Sequence, residues 1–132
     1  MTDRVEFLTP DDLVDLATRL FGDPPPMRDA GLLASAAARP QATVFGEDTY
    51  ADVWEKAAAL LHSIVTNHPL IDGNKRLGWV ATAVFLLVND APADLARNDA
   101  VYDLVMAVAE GRPGARDVGE IAVQLRRVVP PR

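Results

Sequence analysis

From Leu77 to Val88 the chain runs through 12 residues without a charged side chain. A bilayer-spanning helix needs about 20 apolar residues, so this run is too short to cross a membrane. Only Thr82 interrupts its glycine, alanine, valine, leucine and aromatic residues. A helix that is apolar nearly all round has to be enclosed by other elements. The run predicts a buried central helix, and the rest of the chain must supply the helices that cover it.

Those helices are legible on both sides. Thr9-Pro10-Asp11-Asp12 offers a capping residue, a first-turn proline and early acids. Leu13, Leu16, Ala17 and Leu20 then recur at helical spacing until Gly22, and a proline-rich connection follows to Pro26. A short alanine-rich helix is expected from Ala30 to Arg39, ended by Pro40. Thr43-Val44-Phe45 has strand character and Gly46 offers a turn, so a small hairpin or flap is expected within Gln41 to Thr49. The next helix runs from near Thr49 to Thr66, with Val53, Trp54, Ala57, Leu61, Ile64 and Val65 as its stripe. After the apolar run, Asn89-Asp90-Ala91-Pro92 breaks the helix. Val101, Leu104, Val105 and Val108 mark another, ended by Gly111 and Pro113. Asp117 and Glu120 form a capping-box pattern for a last helix, with Val118, Ile121, Leu125 and Val128 on its core face and Pro130-Pro131 at its end. The expected fold class is all-α, a compact helical bundle with a hairpin before the third helix.

At 132 residues, with no internal repeat, the chain reads as a single domain over residues 1–132. It contains no cysteine, which excludes disulfides and thiolate-bound metals. Met1-Thr2-Asp3-Arg4-Val5-Glu6 carries acids and no apolar stretch, unlike a secretory leader, so a cytoplasmic location is the expectation. A net charge of -6 argues against general nucleic-acid binding, which needs clustered positive charge. It leaves room for a nucleotide held by a local cationic pocket.

Such a pocket is suggested just before the apolar run, in His68-Pro69-Leu70-Ile71-Asp72-Gly73-Asn74-Lys75-Arg76. The segment sits where a loop becomes a helix, and unpaired N–H groups at a helix start favour anions. His68 carries an imidazole, the side chain that most often takes a proton from a hydroxyl; it can equally be a helix-capping residue without chemistry. Asp72 is either a Mg²⁺ ligand or a turn aspartate. Gly73 would let a phosphate approach the backbone, and Asn74 either braces the loop or donates to a phosphate oxygen; a plain helix cap also accounts for the pair. Lys75 and Arg76 are a solvated first turn or two phosphate clamps, and cations at a helix N-terminus call for a compensating anion. His62, inside the preceding helix, is assigned no role. Together the segment holds a base, a metal ligand, an anion hole and two cations, the parts phosphoryl transfer requires. There is no Walker-type or protein-kinase glycine-rich loop.

This segment resembles the core motif of the Fic/Doc superfamily, His-x-Phe-x-(Asp/Glu/Asn)-(Gly/Ala)-Asn-(Gly/Lys)-Arg. The stretches Gly31-Leu32-Leu33 through Ala38-Arg39-Pro40-Gln41 and Phe45-Gly46-Glu47 are similar to the Doc (death-on-curing) toxin branch, so the resemblance covers about Asp29 to Asn89. It implies a helical bundle of Fic/Doc type and a toxin of a toxin–antitoxin pair. The toxin would be a kinase that passes the ATP γ-phosphate to a threonine hydroxyl of elongation factor Tu and halts translation. By the same resemblance His68 is the base, Asp72 the Mg²⁺-associated carboxylate, Gly73 and Asn74 the anion cradle, and Lys75 and Arg76 phosphate contacts. Gln41 to Thr49 would be the flap that aligns the target. ATP and Mg²⁺ are the implied cofactors, and an antitoxin with a disordered inhibitory segment the implied partner.

Lysine at position 75 is the Doc choice, whereas members that transfer AMP usually carry glycine there. Two residues depart from the Doc pattern. Leu70 stands in place of phenylalanine, a smaller anchor that predicts a looser loop. Gly73 stands where Doc has alanine and keeps an adenylyltransferase in competition. A helical module that only binds protein is the third alternative. The inhibitory-helix pattern Ser/Thr-x-x-x-Glu-Gly/Asn is missing; Met106 to Gly111 comes nearest, with methionine in place of the hydroxyl residue.

Overall fold

The computed structural model describes residues 4–131; Met1 to Asp3, part of the segment read above as no secretory leader, lie outside them. Among the described residues six α-helices build the fold: α1 (Pro10–Phe21), α2 (Ala30–Ala38), α3 (Val53–Asn67), α4 (Asn74–Val88), α5 (Asn98–Glu110) and α6 (Val118–Val128). Two short strands, β1 (Thr43–Val44) and β2 (Glu47–Asp48), pair antiparallel with Thr43 opposite Asp48 and Val44 opposite Glu47. The expected all-α class, with a hairpin before the third helix, is the architecture found. No helix among the described residues is long and apolar enough to cross a membrane.

Helix ends follow local chemistry. Thr9 accepts the Asp12 N–H while the Asp12 carboxylate accepts the Thr9 N–H, and Gly22 closes α1 in a positive-φ conformation. Asp117 and Glu120 make the same reciprocal pair at α6. Helix α3 starts at Val53 rather than near Thr49, because Asp52 caps it by accepting the Glu55 N–H at 2.8 Å. Helix α2 ends at Ala38, and Pro40 sits buried in a single 3-10 turn, Arg39–Gln41.

The sequence pointed to the helix after the motif as the enclosed one. Helix α4 does bury Leu77, Ala81, Phe85 and Leu86, but Leu87 and Val88 at its end are exposed. The more enclosed helix is α3, where only His62 between Lys56 and Val65 is not buried. It packs against α2, α4, α5 and α6, and the small side chains of Ala57, Ala58 and Ala59 let neighbours close in on several sides. The approach of α3 to α4 depends on Gly78: a Cβ there would lie 2.7 Å from Val65 Cγ2. These two helices carry the motif loop between them, so its two ends rest on the best-packed part of the molecule.

The hairpin turns through Phe45 (φ 50) and Gly46 (φ 81), the positive-φ pair that a tight two-residue turn requires. Phe45 is fully exposed at its tip. Two cations hold its base. Lys56, 2% exposed, donates to Asp48 Oδ2 at 3.1 Å and to the Tyr50 carbonyl. Arg39 donates to Tyr50 Oη at 2.9 Å, to Ser63 Oγ at 3.0 Å and to His62 Nδ1 at 2.8 Å. An arginine only donates, so His62 Nδ1 is the acceptor and the ring is neutral in this arrangement. His62, given no role by the sequence, is thus part of the support under the hairpin.

Burial first, then the charge of Arg39, lowers the His62 pKa from its ordinary value, with Asp117 opposing. As pH falls below about 6.5 the unfolded chain takes up this proton more readily than the folded one, so folding loses stability. The melting temperature is expected to be lower at about pH 5.5 than at about pH 7.5, with His62→Gln narrowing the gap. A gap of equal size in His62→Gln would remove His62 as its cause.

Candidate active site at the start of helix α4

Helix α3 ends at His68, which takes the left-handed conformation (φ 55, ψ 61). For a residue with a Cβ this costs about 1–2 kcal/mol and persists only where the surroundings hold it. The holding element is the segment before α2. Arg28 Nε donates to the His68 carbonyl at 2.6 Å, and Arg28 Nη2 to the Asn67 carbonyl at 2.8 Å. The Arg28 and Asp29 N–H groups both donate to the Pro69 carbonyl at 2.9 Å, and Ile71 N–H donates to the Pro26 carbonyl at 2.8 Å. Met27 and Leu70 form an antiparallel bridge between them.

Leu70 is 0% exposed. Its N–H donates to Asn74 Oδ1 at 2.9 Å and its carbonyl accepts from Asn74 Nδ2 at 3.0 Å, both bonds buried. Of the two uses expected for the Asn74 side chain, the loop brace is the one made. The smaller anchor at Leu70 is therefore fully buried and tied on both sides of its backbone.

The first turn of α4 is open. No side chain caps it, in contrast to α1, α2, α3 and α6, and Gly73 (φ 89) occupies the cap position. The backbone N–H groups of Asn74, Lys75 and Arg76 have no partner among the described residues, and the helix ladder begins with Leu77 N–H to the Gly73 carbonyl at 2.9 Å. Lys75 and Arg76 are exposed and make no ion pair among the described residues. Unpaired N–H groups, the positive helix end and two cations outside any ion pair among the described residues make a site suited to an anion. Asp72 Oδ1 accepts the Gly73 N–H at 2.8 Å, and no donor among the described residues reaches its other oxygen.

Gly73 has a packing reason as well. A Cβ there would lie 2.4 Å from Phe21 Cζ, at the end of α1, and positive φ adds strain for any other residue. The Arg76 guanidinium lies over the same ring at 5.7 Å from its centroid. Phe21 therefore sits under the helix start, a contact that no motif spacing could reveal.

A pocket of about 330 Å³ is lined by His68, Asp72, Gly73, Asn74, Lys75 and Arg76, with Val65 and Ala109 on its apolar side. All six residues singled out from the sequence meet there. Lys75 and Arg76 also line an apolar cleft of about 430 Å³ between α4 and α5, walled by Trp79, Val101, Tyr102 and Met106. Met106 to Gly111 forms the last turn and cap of α5, and Glu110 pairs with Arg112 at 2.9 Å rather than with Arg76. No cluster of three or more histidine, aspartate or glutamate side chains able to hold a metal alone exists among the described residues.

Residues 7–86 match the model of the Fic/DOC family, more than half of the chain. The chain belongs to the Fic/DOC family. The matched span of this Fic/DOC protein ends inside α4 and contains the whole motif loop and the hairpin. The chain is also similar to Toxin Doc of Mycolicibacterium smegmatis, with 50% identity over 84 residues. That alignment covers 64% of this chain and 65% of the relative, slightly under two thirds of its length.

Proposed function

We propose that this Fic/DOC protein is a toxin of the Doc type, a kinase that transfers the ATP γ-phosphate to a threonine hydroxyl of elongation factor Tu in the cytoplasm. The observation that carries this reading is the open first turn of α4. Three unpaired N–H groups, Lys75 and Arg76 surround one pocket that also contains His68 and Asp72. The likeness to Toxin Doc and the lysine at position 75 support the kinase within the family. The apolar cleft beside Lys75 and Arg76 supports a donor that carries a nucleoside next to its phosphates.

In this mechanism His68 accepts the proton of the target hydroxyl as its oxygen attacks the γ-phosphorus. The bond from that phosphorus to the β,γ-bridging oxygen breaks, and ADP leaves with the electron pair. The N–H groups of Asn74, Lys75 and Arg76 and the side chains of Lys75 and Arg76 stabilise charge on the transferring group. Asp72 is the residue that would hold Mg²⁺. One carboxylate suits an ion that prefers oxygen ligands and takes most of them from phosphates and water. When bound, Mg²⁺ neutralises phosphate charge. Asn74 acts through the loop it braces. An antitoxin with a segment that folds on binding would supply the inhibition, since this chain lacks the inhibitory-helix pattern.

Adenylyl transfer drew its support from Gly73. The Phe21 ring gives Gly73 a reason that does not involve the nucleotide, so that support weakens. The test is purified elongation factor Tu, Mg²⁺ and ATP labelled at either the α or the γ position. Label from the γ position on the target is the expected outcome. Label from the α position would replace this reading with adenylyl transfer, and no label from either would remove elongation factor Tu as the target and leave another target or a binding module.

A further inference from the structure

We infer that Arg28 is a positioning residue for His68, holding the base in its left-handed turn from outside the pocket. The inference rests on the reading of His68 as the base. Arg28 does not line the pocket and lies 40 residues from His68 in sequence. Its guanidinium nevertheless reaches two consecutive carbonyls, those of Asn67 and His68, at 2.8 and 2.6 Å.

Three observations make this more than a surface contact. First, the residue that closes α1, α2, α4, α5 or α6 donates its own N–H back into the last turn of that helix, whereas His68 N–H makes no such bond. The Arg28 fork takes over the terminal carbonyls of α3, and a cation is favourable at a helix C-terminus. Second, the position closes its helix in the αL conformation, where glycine is the usual choice, yet it carries the imidazole that the proposed mechanism uses as base. A residue with a Cβ pays for that backbone, and here a restraint from outside the turn holds it. Third, the restraint is continuous. The Arg28 and Asp29 N–H groups, the Pro26 carbonyl and the Met27–Leu70 bridge pair this segment with the loop from Asn67 to Ile71. Arg28 contributes the side-chain end of that pairing at the residue where direction matters, because the backbone angles at His68 aim its Cα–Cβ bond.

Arg28 is exposed and belongs to no helix, so its replacement leaves the core intact. In the labelled-ATP assay Arg28→Ala is expected to lower kcat by about tenfold to a hundredfold, the scale of a base displaced by about an ångström, with the KM for ATP nearly unchanged. Arg28→Lys, which brings one ammonium in place of a planar fork, should recover only part of the rate. A role limited to general stability would lower the apparent kcat only through the folded fraction, so the rate per folded molecule, taken with a thermal melt of the same preparation, would stay at the wild-type value.

A second measurement does not depend on transfer. Glycine adopts positive φ without a Cβ penalty, whereas an unclamped His68 can relax out of its strained angles and recover part of the loss, so Arg28→Ala should lower the melting temperature more in a His68→Gly background than in the wild type. Equal losses in the two backgrounds would overturn the clamp. Unequal losses with wild-type kcat in Arg28→Ala would overturn the positioning role. If the wild-type protein transfers nothing, the kinase reading fails by itself and the melting comparison alone decides whether Arg28 restrains His68.

Discussion

Replacing His68 with alanine is expected to lower phosphate transfer by about 10²- to 10⁴-fold, the range by which a positioned base accelerates proton transfer. The fold should survive. His68 is exposed, its ring makes no hydrogen bond among the described residues, and Arg28 holds its carbonyl, which alanine keeps. Alanine takes the same backbone angles at the same cost, so stability should change by no more than about 0.5 kcal/mol, as at an ordinary surface position. The check is paired: initial rates of γ-label transfer, and a thermal melt of the same preparation. Growth arrest on expression should disappear with the activity. Undiminished transfer by a well-folded His68→Ala protein would remove His68 from the mechanism and point to substrate positioning as the main contribution of the site.

The second large effect is on the loop itself. Asn74→Ala strips the partners from the Leu70 N–H and carbonyl, both inside the protein. Each buried group left unsatisfied costs about 1–3 kcal/mol, so the variant should lose roughly 2–6 kcal/mol in a denaturant titration. Asn74→Asp separates the two bonds. It can still accept from the Leu70 N–H but can no longer donate to the Leu70 carbonyl, so its loss should fall between alanine and wild type. Transfer should fall in both variants, because Asp72 and His68 sit on the loop that Leu70 anchors. A stability change under about 0.5 kcal/mol in Asn74→Ala would mean that the pairing of Met27 with Leu70 carries the loop alone.

This effect belongs to a residue whose purpose was ambiguous in one dimension. Asparagine after a glycine at a helix start is compatible with a phosphate donor and with a brace. The choice was made by the depth at which Leu70 is buried, which leaves its backbone groups in need of partners.

What could be read directly from the chain was local. Thr9 with Asp12, Asp117 with Glu120, Gly22, Gly111 and Gly46 set element boundaries through bonds and backbone angles within a few residues of themselves, whereas Phe45, read as strand, lies in the turn. The six motif residues could be grouped for the same reason. They lie within nine consecutive positions, and a turn leading into a helix keeps them together whatever surrounds it. The start of α3 was misplaced because Thr49 and Asp52 both carry capping side chains, and it is the Asp52 carboxylate that accepts the Glu55 N–H.

Helical periodicity says that a face will be covered, but not by which partner. Tertiary packing decided that α3 is the more enclosed helix, because Gly78 and three consecutive alanines set how closely its neighbours approach. It also brought Phe21 under Gly73, Arg28 onto the end of α3, and Arg39 onto His62, pairings separated by 52, 40 and 23 positions. None of these has a spacing signal, since each depends on how segments distant in the chain pack together. The sequence by itself determined which groups are available for chemistry at residues 68 to 76. The tertiary structure determined how firmly each is held, because the restraining contacts come from segments that only folding brings near.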